Sequence, residues 1–203
     1  MAELVPSELV NRFEGLHGNE KRAIVERKAK TVLGGSVIWV FREGTKKDLV
    51  RALKRLRIDR LRKCRSQQEF YRFFTKALGV VDQAILLKNR GNKTIGTGHK
   101  WGHAAKVTCL YIRGIVLHTR YFNDATAKRL RPFLFVPVDK IVLRELRRCG
   151  VKLESKAKAI KQIDSKKKFF EIQDLLAKAA RQAERRKGTD VPRILFDDVW
   201  SEN

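Results

Sequence analysis

Apolar residues in this chain recur mostly at spacings of three and four, so the pattern predicts helices along most of its length. Ser7 followed by Glu-Leu-Val-Asn-Arg-Phe-Glu, and Asn19 followed by Glu-Lys-Arg-Ala-Ile-Val-Glu-Arg-Lys, predict two capped helices, the second closed by Gly34-Gly35. Val37 to Phe41 is a β-branched and aromatic run that suits a strand, a buried extended segment or part of a docked helix. Thr45-x-x-Asp48 resembles a capping arrangement, with Leu49, Leu53, Leu56 and Leu61 marking one helical face and basic residues the other. Ser66-x-x-Glu69 is a capping box that leads into Phe70, Tyr71, Phe73, Phe74, Ala77 and Leu78, with Gly79 as the expected stop.

Asp82 then begins a short apolar piece, Ala84 to Leu87. The stretch from Lys88 to His103 combines glycine with positive charge, which suits a hairpin whose amides approach phosphates closely, or a plain solvated loop. Lys93, Gly96, Gly98, His99, Lys100, Gly102 and His103 are its candidate DNA contacts. An apolar helix is expected to start at Lys106 and run to Val116, and Asn123-Asp124 to cap a helix containing Ala125, Leu130 and Phe133. Val136-Pro137-Val138-Asp139 ends a loop on a carboxylate and opens into the amphipathic run from Lys140, which places Asp139 as an N-cap. Two polar helices follow, Ser155 to about Ile163 and Ser165 to about Lys187; Phe169, Phe170, Ile172, Leu175, Leu176 and Ala179 lie on the buried side of the second, and Gly188 closes it. The apolar tail from Val191 to Trp200 is expected to fold back on the rest. One mainly α domain over 1–203 is the simplest architecture, with sub-lobes of about 1–80 plus the tail and 81–190.

Charge narrows the partners. Forty-six Lys and Arg against 22 Asp and Glu leave +24, far beyond what solubility needs, so a polyanion is the expected partner, DNA first. Nine Lys or Arg fall among residues 46 to 63, a face suited to tracking phosphates, with Lys54, Arg55 and Arg57 at its centre. There is no apolar run of membrane-spanning length, no lipidation motif, and the start Met-Ala-Glu-Leu-Val-Pro is not a signal peptide, so no membrane partner is expected. Cys64, Cys109 and Cys149 are odd in number and far apart, and read as reduced and structural in a cytoplasmic protein that is nucleoid-associated when bound to DNA. No Cys-x-x-Cys occurs, so neither a metal nor a cofactor is expected, and the protein is read as a monomer.

A helix start, a glycine-containing hairpin, an apolar helix and a Pro-Val-Asp loop opening another helix, over about residues 85 to 150, resemble the helix-hairpin-helix DNA glycosylase superfamily. The layout is most similar to the archaeal 8-oxoguanine glycosylase branch, in which a longer insertion separates the lysine-bearing helix from the Pro-x-Asp loop; here Lys106 and Asp139 are 33 residues apart. The resemblance implies that Lys106 attacks C1′ of the target nucleotide while Asp139 assists deprotonation or stabilises charge developing on the sugar. It also implies a base pocket to which Trp200 contributes. The usual hairpin reads Leu-Pro-Gly-x-Gly-x-Lys; this chain has no proline there and offers Gly96-x-Gly98-x-Lys100 and then Gly102-x-x-x-Lys106, so Lys100 competes with Lys106 as nucleophile.

The chemistry has its own logic. Breaking a glycosidic bond passes through an oxocarbenium-like state, which a carboxylate on the sugar side stabilises. An amine nucleophile captures C1′ covalently, and the Schiff base can then eliminate the 3′ phosphate, adding AP-lyase activity. The lysine must be neutral when it attacks, which needs burial or neighbouring positive charge; His103, Lys100 and Arg113 are the candidates. The target base must first leave the stack, and Trp101, Tyr111, Tyr121, Phe122 and Trp200 are the available aromatic surfaces. Against this stand plainer roles: Asp139 as a cap only, Lys106 as one more phosphate contact, Trp200 as a core anchor. The competing function is a non-enzymatic nucleic-acid-binding protein whose hairpin and basic helices clamp phosphates. A ribosomal or RNA-processing protein fits the charge but not the Pro-Val-Asp helix start.

Overall fold

The computed structural model describes residues 7–34, 40–86, 100–148, 157–188 and 191–196, with side chains from Asn19 onward in the first helix. Seven α-helices are described: α1 Ser7–Thr31, α2 Thr45–Arg55, α3 Gln67–Ala84, α4 Trp101–Leu117, α5 Asp124–Leu130, α6 Lys140–Arg148 and α7 Lys166–Lys187. Short 3-10 turns follow α2 (Ile58–Lys63) and α5 (Arg131–Phe133), and another (Ile160–Gln162) precedes α7. The mainly α expectation holds, and no strand occurs among the described residues.

Helix α4 is central. It is apolar over most of its surface, the signature of a helix buried on most sides, and of residues Ala104 to Val116 all but Lys106, Leu110 and Arg113 are buried, in a helix that contacts α1, α3 and α7. Buried side chains from α1 (Ala29), α2 (Leu49, Leu53), α3 (Phe70, Phe74, Val81), α5 (Leu130), α6 (Val142, Leu143, Leu146), α7 (Phe169, Ile172, Leu176) and the tail (Ile194) join it in one hydrophobic cluster. An aromatic knot sits inside, where Phe74 stacks on Phe169 at 5.7 Å between centroids and both meet Phe135 edge-on.

Several local expectations are corrected. The two helices expected before residue 35 are one continuous α1. Thr45 does not cap α2: Gly44, at φ 83°, occupies the N-cap, and the buried Thr45 hydroxyl donates to the Leu86 carbonyl at 3.2 Å. Leu61 does not continue the helical face of Leu49 and Leu53, because α2 ends at Arg55 and Leu61 reaches the core from a 3-10 turn. Gly79 does not stop α3, which runs on to Ala84 and absorbs Asp82; Val81, fully buried, makes the continued helix favourable. Phe133 belongs to a 3-10 turn, Arg131–Phe133, with Pro132 in its middle, and not to α5. Described residues of the helix expected before Ile163 form only a 3-10 turn. Of the Val37–Phe41 run, Val40 and Phe41 are described; Phe41 is buried, and the next amide, Arg42, donates to the Leu86 carbonyl at 2.8 Å.

Other local signals are realised as read. Ser66 and Glu69 form the complete capping box, Asn123 caps α5, Ser165 caps α7, and Gly188 closes α7 in the left-handed region at φ 66°. Phe169, Ile172 and Leu176 are the fully buried positions of α7, while Phe170, Leu175 and Ala179 are half-buried. The described part of the tail does fold back: Pro192, Arg193 and Ile194 are buried. Cys64 and Cys109 are buried free thiols, and Cys149 lies outside the described residues.

Candidate active site

The start of α6 is brought against the side of α4 by the stretch between α5 and α6. Residues 134–139 run without helix, and Leu134 to Val138 are all buried, so their backbone groups need internal partners. Arg193 supplies some of them: its Nε donates to the Leu134 carbonyl at 2.9 Å and its Nη2 to the Phe133 carbonyl at 2.9 Å and to Gln67 Oε1 at 3.0 Å. Its guanidinium also lies over the Phe135 ring, 4.5 Å from the centroid, and burial pulls its pKa down to about 10. Gln173 of α7 supplies two more, accepting from the Val136 amide at 3.0 Å and donating to its carbonyl at 2.8 Å. Pro137 follows with no N–H to satisfy.

This bracing delivers Asp139 to the start of α6. Its Oδ1 accepts from the amides of Ile141 at 2.9 Å and Val142 at 3.2 Å, which makes it the N-cap that the sequence predicts. Its Oδ2 faces Lys106, whose Nζ donates at 3.0 Å across 33 residues of sequence. Both side chains stay partly exposed, Lys106 at 19% and Asp139 at 26%, so a ligand has access to the pair. The carboxylate is therefore oriented by three donors, one of them the Lys106 amine.

Lys106 is not at the start of its helix. Trp-Gly-His is a poor helix opening by propensity, yet α4 begins at Trp101, five residues before the expected Lys106. Trp101 meets the Phe169 ring at 5.6 Å, and Gly102 seats the helix where a Cβ would collide with the Ile160 carbonyl and come within 3.0 Å of the Ile163 carbonyl. Tertiary packing outweighs local preference here. Gly102 thus serves the close packing of α4 on the 160–163 turn. His103, one turn before Lys106, is half-buried and edge-on to Phe41 at 5.9 Å; burial first and the Lys106 charge second pull its imidazole down to about 4. A pKa that low leaves it without the positive charge expected to act on Lys106.

Lys100 is committed elsewhere. It is the N-cap residue of α4, and its Nζ binds the Asp82 carbonyl at 2.9 Å and the Asp82 carboxylate at 3.6 Å, tying the end of α3 to the start of α4. Arg113 lies beside Lys28 of α1, whose ammonium is lowered by burial first and by that guanidinium second. Of the three neighbours expected around Lys106, His103 is the one whose own titration responds to the Lys106 charge.

The aromatic expectations separate. Tyr111 is fully buried in α4 and belongs to the core, so it is not a base-pocket wall; burial raises its phenol, whose oxygen has no hydrogen-bond partner among the described residues. Trp101 is half-buried against Phe169. Phe122 is buried edge-on to Tyr121 at 4.9 Å, with the Arg62 guanidinium 5.9 Å above its ring. Trp200, Lys93, Gly96, Gly98 and His99 lie outside the described residues. On the basic face, Lys54 pairs with Glu26 at 3.3 Å and Arg57 approaches Asp59 at 3.8 Å, while Arg55 is exposed at the end of α2. That face is thus partly offset by acidic partners, of which Glu26, brought from α1, is not revealed by the linear sequence.

Gln173 and Arg193 are the residues that sequence reasoning missed. Gln173 sits in the buried register of α7 beside Ile172 and Leu176, and a polar residue there is the signal that could have found it. Among the described residues no cluster of three metal-ligating side chains occurs, and no helix is long and apolar enough to cross a membrane. No family model, curated protein or solved structure matches this chain.

Proposed function

We propose that this chain is a DNA glycosylase that takes a damaged or modified base out of the duplex stack and cleaves its bond to C1′, with Asp139 on the sugar side and Lys106 as nucleophile. The observation that carries this reading is the 3.0 Å contact between Lys106 Nζ and Asp139 Oδ2, two partly exposed groups that the fold gathers from distant parts of a strongly basic chain. A capped, braced carboxylate suits electrostatic stabilisation of an oxocarbenium-like sugar, because it need not reorganise as charge develops. The amine must shed a proton before it attacks, and Asp139 Oδ2 is the acceptor in contact with it. Attack at C1′ forms the N–C1′ bond as the base departs with its bonding pair. Ring opening gives a Schiff base, from which loss of a C2′ proton expels the 3′ phosphate. Should Lys106 only position the carboxylate, the enzyme is monofunctional and Asp139 activates water.

The resemblance to the archaeal branch favours an oxidised purine as substrate, with a bulky modified pyrimidine of invading phage DNA, and hence a role in antiviral defence, as the second class. A non-enzymatic phosphate clamp is the competing reading, favoured by four arginines that line a single cavity. The deciding experiment incubates the protein with end-labelled duplexes bearing single modified bases and with phage genomic DNAs, followed by alkali. Breaks at modified positions support the glycosylase, breaks before alkali add the lyase, and tight binding with intact strands supports the clamp.

A further inference from the structure

We propose that the cavity between the start of α3 and α5 is a phosphate-binding site that holds the backbone of a nucleic-acid strand. It is a half-open pocket of about 660 Å³ and presents Arg62, Arg65, Arg120 and Arg129 around the buried rings of Tyr121 and Phe122. Asp124 is the one carboxylate in its lining, so the wall carries four guanidinium groups against one negative charge. Among the described residues none of the four arginines has a carboxylate within 4.0 Å. Contrast the basic face of α2, where Lys54 and Arg57 are offset by Glu26 and Asp59.

Two of the arginines are held in place by the fold. Arg129 donates from Nη2 to the Arg62 carbonyl at 2.9 Å and from Nε to the Cys64 carbonyl at 3.3 Å, which sets the plane of its guanidinium. Arg62 lies over the Phe122 ring at 5.9 Å, an arrangement that steadies a flat cation without consuming its hydrogen bonds. Arg65 and Arg120 are exposed at the rim. Like charges gathered this closely repel one another, and a doubly coordinated phosphate removes that cost while matching the planar fork of each guanidinium. The volume exceeds what one phosphate group fills, which fits consecutive backbone phosphates. Because Arg62 already covers the Phe122 ring, the site reads backbone rather than a stacked base.

The inference does not require base excision. Replacing the two rim residues together, Arg65→Gln with Arg120→Gln, should lower the magnitude of the log K against log salt slope for duplex DNA by about 2, with an affinity loss of about tenfold. The charge-matched control Arg185→Gln with Arg186→Gln, on the exposed end of α7, should change the slope much less. Arg65→Lys with Arg120→Lys keeps the charge and should retain the slope while losing part of the affinity. Circular dichroism and the thermal midpoint establish that the variants fold. In parallel, wild type and the double Gln variant are titrated with inorganic phosphate and with a nucleoside triphosphate. An unchanged DNA slope together with triphosphate binding that the variant loses would keep the phosphate site and transfer it from nucleic acid to a free nucleotide. Equal slope changes in the rim and control variants, or no effect on either ligand, overturn the proposal. Loss of slope without base excision from any substrate would sustain the site and sink the glycosylase.

Discussion

Gln173, buried on α7, exchanges two hydrogen bonds with the main chain of Val136, at 3.0 Å to its amide and 2.8 Å from the side-chain amide to its carbonyl. It does for this extended stretch what a neighbouring strand does in a sheet, and the braced stretch ends three residues later at Asp139. Gln173→Met conserves volume but leaves a buried N–H and a buried C=O unpaired, at about 1–3 kcal/mol each. The thermal midpoint should therefore fall by roughly 10 °C in a chain of this size. Base excision should fall more than DNA affinity, since it is the carboxylate that loses its support. An unaltered midpoint would show that the bracing is dispensable.

Asp139→Asn should abolish excision while leaving DNA affinity largely intact. The asparagine oxygen still accepts the amides of Ile141 and Val142, so the stability cost should stay near about 1 kcal/mol, that of a weakened partly exposed ion pair. Full activity in this variant would remove Asp139 from the site. Lys106→Gln should eliminate borohydride-trapped adducts; adducts that persist there and vanish on Lys100→Gln would move the nucleophile to Lys100.

Gly102→Ala tests how α4 is seated. The added methyl falls on the Ile160 carbonyl, which is backbone and cannot swing aside as a side-chain tip can. Overpacking of this kind costs about 1–3 kcal/mol, read as a lower midpoint in urea or heat. A Gly102→Ala protein as stable as wild type would mean that the 160–163 turn yields easily.

His103 makes stability depend on pH. Its folded pKa, about 4, lies below the ordinary 6.5, so the unfolded chain binds the extra proton first. Its contribution is fully present above pH 6.5 and is lost as pH falls from there through about 4. The loss should be roughly 1 kcal/mol at pH 5.5 and approach about 3 kcal/mol below pH 4. Thermal midpoints across pH 4 to 7 should decline less steeply in His103→Gln than in wild type; parallel curves would assign the acid sensitivity to other groups.

Legibility in the sequence followed the range of the interaction. Ser66-x-x-Glu69, Asn123, Asp139, Ser165 and Gly188 were readable because a cap or a left-handed stop is settled within about four residues. Asp139 as the start of α6 belongs to that class. The beginning of α4 and the end of α3 did not, since Trp101 and Val81 hold their helical places through contacts with partners remote in sequence. Tyr111 and Phe122 looked alike as stacking surfaces; only their positions in the packed chain separate a core residue from one lining an arginine-rich cavity.

The sequence by itself determined a mainly helical, strongly basic chain, the caps of its helices and the two residues worth suspecting. These are matters of local hydrogen bonding, of apolar period and of net charge, none of which depends on how the chain is folded. The tertiary structure alone decided that Lys106 and not Lys100 meets Asp139, that Lys54 is offset by Glu26, and that four arginines face one cavity. Ion pairing reaches only a few ångströms, so which of 46 cations meets which anion depends on the approach of segments tens of residues apart, as for Lys106 and Asp139.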